Sequence, residues 1–190
     1  IQYFIDQQID LLIVAPNEAA PLTSILEEAY DKGIAVITFD RNILSDKYTA
    51  YVGADNYEIG KSVGNYVATI LHGKGSVVEL AGLSGSTPAM DRHQGFASAI
   101  SHYPDITILC QEDAGWLREQ AEDKMDTILS RYDQIDLVYA QNDRMAAGAY
   151  QSAAKKGREK DMRFIGIDAV SGEGYGLDMV SKGILDATFI

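Results

Sequence analysis

Short β-branched runs alternate with longer amphipathic segments along the whole chain, and that alternation limits the fold more than any other feature. Parallel strands need a crossover of roughly a dozen residues or more, usually a helix, so the rhythm predicts βαβ units and parallel sheets. Strands are expected at Asp10–Ala15, Ile34–Phe39, Ala50–Gly53, Ser76–Leu80, Thr107–Cys110, Asp136–Ala140, Arg163–Ile167 and Asp186–Ile190. Helices are expected at Pro21–Asp31, Tyr57–Leu71, Ala89–His102, Leu117–Arg131 and Asp143–Lys156, with Gly33, Gly73 and Gly157 as stop signals. The connection from Phe39 to Ala50 has no room for a helix, and Ala54-Asp55-Asn56 then enters the next one, with Asp55 or Asn56 suited to cap it. A crossing between two lobes is therefore expected at Ala54–Asn56. The N-terminal lobe would cover residues 1–54 and the C-terminal lobe residues 55–190.

Five of the apolar runs exit into planar hydrogen-bonding residues: Pro16-Asn17, Asp40-Arg41, Asp91-Arg92, Asn142-Asp143 and Asp168. Open parallel sheets bind ligands outside the carboxyl ends of their strands. The exits thus fall where such a fold keeps its pocket.

Composition narrows what that pocket can hold. A formal net charge of −12 opposes general binding to nucleic acid or an anionic membrane, since both need clustered Lys and Arg. A neutral or cationic ligand fits better. Cys110 is the single cysteine, no Cys/His spacing matches a zinc site, and neither metal nor cofactor is expected. The longest apolar runs fall far short of the roughly 20 residues that span a bilayer. Because Ile1 is no initiator and the first residues read as a helix end, the fold is expected to be truncated at both ends.

Asp40-Arg41 sets carboxylate acceptors beside a rigid donor fork. Sugar hydroxyls donate and accept, so each group can grip a hydroxyl pair, at about 1.5–3 kcal/mol per charge-assisted bond. The alternative is a strand-end ion pair that only fixes its loop. Gly82-Leu83-Ser84-Gly85-Ser86-Thr87-Pro88 is a small-residue loop before a helix that carries Arg92, and it matches neither a phosphate loop nor a nucleophile elbow. In Gln141-Asn142-Asp143, one of Asn142 and Asp143 can cap a helix while the other faces outward. Asp168 is either a ligand group or a turn former. Trp116, the only tryptophan, offers a flat face to the C–H face of a sugar or packs in the core. Cys110 reads as a small buried hydrophobe. His72, His93 and His102 fall in or at the ends of helices rather than beside a nucleophile, so no catalytic set is expected.

At these residues the chain resembles the type 1 periplasmic-binding-protein family, in the branch of ribose- and galactose-type sugar-binding proteins and lac-repressor-like effector domains. The resemblance is carried by Ala35-Val36-Ile37-Thr38-Phe39-Asp40-Arg41, Gly53-Ala54-Asp55-Asn56, Ala89-Met90-Asp91-Arg92-His93-Gln94-Gly95-Phe96, Tyr139-Ala140-Gln141-Asn142-Asp143 and Ile165-Gly166-Ile167-Asp168. It implies a two-lobed α/β fold with parallel doubly wound sheets whose first strand precedes Ile1. It also implies that Asn17, Asp40, Arg41, Arg92, Asn142 and Asp168 bind sugar hydroxyls, Trp116 stacks, Leu83 and Pro88 line the pocket, and Asp143 supports it. Ala54, Asp55 and Asn56 become the hinge.

A narrower resemblance lies in Asp113-Ala114-Gly115-Trp116-Leu117-Arg118-Glu119, Asn142 through Tyr150, Gly157-Arg158-Glu159-Lys160 and Gly183 through Ile190. These are similar to the periplasmic sensor portion of Bacteroidetes hybrid two-component systems. The implied function is a periplasmic domain of an inner-membrane protein that closes on a monosaccharide and signals through a membrane helix to a histidine kinase, as a monomer or a homodimer. Alternatives are a soluble solute-binding protein feeding an ABC permease, a repressor effector domain, which needs a helix-turn-helix before Ile1, and a glycosidase-like hydrolase using Asp143 or Asp168.

Overall fold

The computed structural model describes residues 1–190. After the short helix α1 (Gln2–Asp6) come β1 (Leu11–Val14), α2 (Ala19–Asp31), β2 (Ala35–Phe39) and β3 (Ala50–Val52). These strands form one parallel sheet of order β1-β2-β3. The chain continues through α3 (Asn56–Ile70), β4 (Lys74–Ala81), α4 (Thr87–Ile100), β5 (Asp105–Asp113), α5 (Arg118–Arg131), β6 (Leu137–Ala140), α6 (Asp143–Lys155), β7 (Arg163–Ile167), α7 (Gly176–Ser181) and β8 (Ala187–Phe189). Its five strands form a second parallel sheet, β5-β4-β6-β7-β8. No helix is long and apolar enough to cross a membrane.

The second sheet is buried on both faces because successive strand side chains alternate and both sets are apolar. Val78, Leu80, Val138 and Phe164 pack with α5 and α6, while Val77, Leu137, Tyr139 and Ile165 pack with α3 and α4. The first sheet has one covered face: Leu12 and Val36 meet Leu26 and Ala29 of α2. Its other face leaves Ile13 63% and Phe39 53% exposed.

Glycine spacing fixes how α3 meets α4. A Cβ on Gly60 would lie 2.1 Å from the Arg92 carbonyl oxygen, and one on Gly95 would lie 2.0 Å from that of Tyr57. The two backbones therefore touch, and Arg92 is placed by the contact. Asp55 starts α3 by accepting from the Glu58 N–H at 3.0 Å, so it caps where Asn56 does not.

Two differences from the sequence reading have physical causes. Strand β5 runs to Asp113 rather than stopping at Cys110; it is an edge strand, where polar residues such as Gln111 and Glu112 are tolerated, and a bulge at its pairing with Val77 and Val78 disturbs the alternation. The Gly-rich turn before Gly176 leads into α7, a helix of six residues too short to leave a periodic signal.

Candidate functional site

The carboxyl ends of β1 and β2 face those of β4, β6 and β7 across a cleft, and the two sides already touch. The Ala19 N–H, at the start of α2, donates to the Gly85 carbonyl at 2.9 Å. The Asn42 N–H donates to Thr87 Oγ1 at 2.8 Å.

On the first side, Arg41 Nη1 donates to Asn17 O at 2.8 Å and to Asn17 Oδ1 at 3.0 Å, and Nε lies 3.8 Å from the Asp40 carboxylate. The guanidinium stands 5.9 Å from the Trp116 ring centroid, on the other side. Asp40 is exposed and its carbonyl accepts from the Tyr51 hydroxyl at 3.1 Å.

On the second side, Arg92 Nε donates to Asn56 Oδ1 at 2.8 Å and Nη1 to the Gln141 carbonyl, with the guanidinium 5.6 Å from the Trp116 centroid. Burial pulls the Arg92 pKa down, and no carboxylate forms a salt bridge with it. A half-buried cation with free N–H groups results, suited to an incoming acceptor. Asp168 reaches the solvent, yet surrounding protein raises its carboxyl to about 6; Arg92 opposes that rise while Asp143 and Asp40 add to it. Leu83 is half-buried in the loop after β4, and Pro88 is buried in the first turn of α4.

Backbone strain gathers at the same residues. Asp40 (φ 61°), Trp116 (φ 68°) and Asp168 (φ 121°) are three of the six non-glycine residues with positive φ. Such conformations cost about 1–3 kcal/mol each and persist where the surroundings over-determine them. For bulky Trp116 the departure is the more telling.

Asn142 and Asp143 divide their roles differently from the expectation that one caps and the other faces outward. Asn142 Oδ1 caps α6 through the Met145 N–H at 2.8 Å, and Nδ2 donates to the Trp116 carbonyl at 3.3 Å. Its acceptor is spent on the helix, which leaves an amide N–H rather than a donor–acceptor pair. Asp143 is buried, not outward. It accepts from Thr188 Oγ1 at 2.7 Å and lies against Gly166 and Gly176, so it ties α6 to the loop bearing Asp168. Burial raises its pKa.

The sequence reading missed the scaffold behind Arg92. Gln141 is fully buried; its Oε1 accepts from the Gly82 N–H at 3.0 Å, and its Nε2 donates to Glu79 Oε1 at 2.8 Å and to Ala89 O at 3.2 Å. Glu79, also fully buried, meets His93 Nδ1 at 2.7 Å, and that hydrogen bond raises the His93 pKa. One carboxylate inside Val77-Val78-Glu79-Leu80 was the available signal. A cavity of about 380 Å³ also opens beside Trp116, lined by Arg118, Asp143, Arg144 and Tyr175 among others, but Asn17, Asp40, Arg41, Arg92 and Asp168 do not line it.

Comparison with known proteins agrees with the fold. The family model described as a periplasmic binding protein domain matches residues 1–190. The chain is 33% identical to the galactofuranose-binding protein YtfQ of Escherichia coli (strain K12), over 98% of this chain and 59% of that protein. It is 32% identical to a xylitol-binding protein of Mycolicibacterium smegmatis, over 96% of this chain and 52% of that protein. Among solved structures, the fructose-binding periplasmic domain of a hybrid two-component system is 63% identical with a TM-score of 0.94, covering 98% of this chain and 62% of that one. The chain thus spans between half and two thirds of the length of these relatives. With the model matched from end to end and both sheets in the arrangement described, the chain belongs to the periplasmic binding protein domain family.

Proposed function

We propose that this chain is the larger part of a periplasmic sensor domain that closes on a monosaccharide and passes the closure to a histidine kinase in the same polypeptide. The observation that carries the reading is the meeting of Arg41, just past β2 on one side of the cleft, and Arg92 of α4 on the other against the single Trp116 ring. Two donor forks, the exposed carboxylates of Asp40 and Asp168, and an aromatic face form a set suited to neutral hydroxyls.

In this reading residues 1–54 and 55–190 are the two lobes and Ala54, Asp55 and Asn56 the hinge. Asn17, Asp40 and Arg41 grip from the first lobe. Arg92, Trp116, Asn142 and Asp168 grip from the second, with Leu83 and Pro88 lining it. Asn56 joins hinge to site, since its side chain accepts from Arg92. A ligand touching both lobes favours the closed arrangement by its differential affinity for it.

No catalytic step is assigned. The 63% identity to a sensor domain, against 33% for the galactofuranose-binding protein, favours the sensor over a transporter component. D-fructose is the first ligand to test, because that sensor domain is described as fructose-binding. Calorimetric titration of the complete domain with fructose, ribose and galactose is expected to give one-site saturation with at least one of them. Absence of heat and of thermal stabilisation with every monosaccharide would overturn the reading. A membrane helix following the domain in the full polypeptide supports the sensor, and a chain that ends with the domain supports the transporter component.

A further inference from the structure

We infer that Gly82 is a positioning residue that sets how far the Trp116 ring stands into the cleft; the inference rests on the monosaccharide reading above. Gly82 follows β4 directly, and an ideal Cβ built on it would lie 2.2 Å from each of Trp116 Cε2, Cζ2 and Cη2. The ring therefore lies against the bare Gly82 backbone. Any side chain there must move either the loop or the ring.

The loop is held from behind. Its Gly82 N–H donates to Gln141 Oε1, and the other end of that buried amide is fixed by Glu79 and Ala89. The Trp116 backbone is held as well. The Ala114 N–H donates to the Ala81 carbonyl at 2.9 Å, the Leu117 N–H to the Ala114 carbonyl at 2.8 Å, and the Trp116 carbonyl accepts from Asn142. Consecutive positive φ values at Gly115 and Trp116 leave the turn little freedom to relax. With both backbones fixed, the ring itself yields. It swings away from Gly82 and alters its contacts with Arg41 and Arg92, the two cations 5.9 and 5.6 Å from its centre.

The same geometry explains why a small residue stands here although the φ of Gly82 is not positive. Gly82 is small because the ring takes the space of a Cβ, not because the turn needs a left-handed residue. The effect reaches the ligand only through Trp116, and that gives the test its form.

The experiment compares the complete periplasmic domain with Gly82→Ala, Trp116→Phe and the double variant Gly82→Ala/Trp116→Phe. Sugar affinity is measured by calorimetry, fold by circular dichroism and thermal melting, and Trp116 emission by subtracting the spectrum of the matching Phe variant. Gly82→Ala is expected to weaken binding of the best monosaccharide by about tenfold or more, since displacements of about 1 Å can have large effects, and to shift Trp116 emission. Phenylalanine lacks the ring edge carrying Cζ2 and Cη2, so the double variant is expected to bind within about threefold of Trp116→Phe alone. A purely structural role for Gly82 gives no such rescue. The inference is overturned if Gly82→Ala binds like the native domain, or if the double variant binds about tenfold or more weakly than Trp116→Phe alone. Should Gly82→Ala fail to fold, the double variant decides alone by the same comparison with Trp116→Phe. A native domain that binds no monosaccharide instead defeats the proposed function, a result read before any variant is made.

Discussion

The two sheets differ in how their cleft-facing residues are held. Behind the second sheet's edge stand two buried faces, a hydrogen-bonded scaffold through Gln141 and Glu79, and helix contacts close enough to need Gly60 and Gly95. Behind the first sheet's edge stands one covered face, and Arg41 is steadied by Asn17 and a 3.8 Å approach to Asp40. Under the proposed function the larger region therefore presents a preformed half-site, and the smaller one supplies a jaw completed by closure. Preorganised groups lose less entropy on binding, so more of the affinity should reside on the second side.

The largest expected effect tests that asymmetry. Arg92→Ala removes at least two charge-assisted donors, at about 1.5–3 kcal/mol each, and is expected to weaken sugar binding by about a hundredfold or more. Arg41→Ala is expected to weaken it by about tenfold, a smaller loss for a group less firmly held. Calorimetry on both variants checks the order, and a reversed order breaks the comparison.

Next in size is Gly60→Ala. Its methyl group meets the Arg92 carbonyl, so it should lower stability by about 1–3 kcal/mol through overpacking and weaken binding by displacing Arg92. Chemical denaturation and calorimetry on the same sample measure both. A stability loss of about 1–3 kcal/mol with unchanged affinity would show that the α3–α4 contact does not place Arg92.

A comparable effect is expected from pH. If Asp168 must be ionised to accept from a hydroxyl, affinity at pH 5 should be about tenfold weaker than at pH 7, following one group with a pKa of about 6. Stability of the ligand-free domain should move the opposite way. The folded-state pKa of Asp168 lies above the ordinary carboxylate value, so the folded state binds the proton more tightly, and this contribution falls as pH rises from about 4 to about 6. Asp168→Asn should flatten both profiles.

The smallest effect concerns closure itself. Thr87→Val removes the acceptor of the Asn42 N–H between the two sides, worth about 1 kcal/mol, and should weaken binding roughly fivefold. Its melting temperature without sugar should change little if closure, rather than folding, is what Thr87 supports.

Much of the fold was legible because strand and helix periods differ and parallel strands buried on both faces form unbroken apolar runs. Strand Arg163–Ile167 is found at the expected boundaries, and Gly33, Gly73 and Gly157 each take the positive φ of a helix stop. The bulged polar edge of β5 and the short α7 were not legible, since neither carries a full period.

At the site, strand-end position brought Asn17, Arg41, Trp116 and Asp168 to one cleft from residues far apart in sequence, and Arg92 reaches it from α4. Position alone could not say which atoms were already engaged. Asn142 is the instructive case, because its side chain suits a hydroxyl pair and a helix cap equally well, and only the Met145 contact reveals that its oxygen serves the cap. Gln141 next to it gave no signal. A neutral amide at a strand end reads as solvent-facing until the burial of Glu79, Gly82 and Ala89 around it is known.

Titration of the complete domain with D-fructose, alongside Arg92→Ala, reaches the central claim most directly. Saturable one-site binding in the native domain, lost or weakened about a hundredfold in a folded Arg92→Ala variant, is the expected result. Equal binding by the two proteins would contradict the placement of the ligand between the sheets.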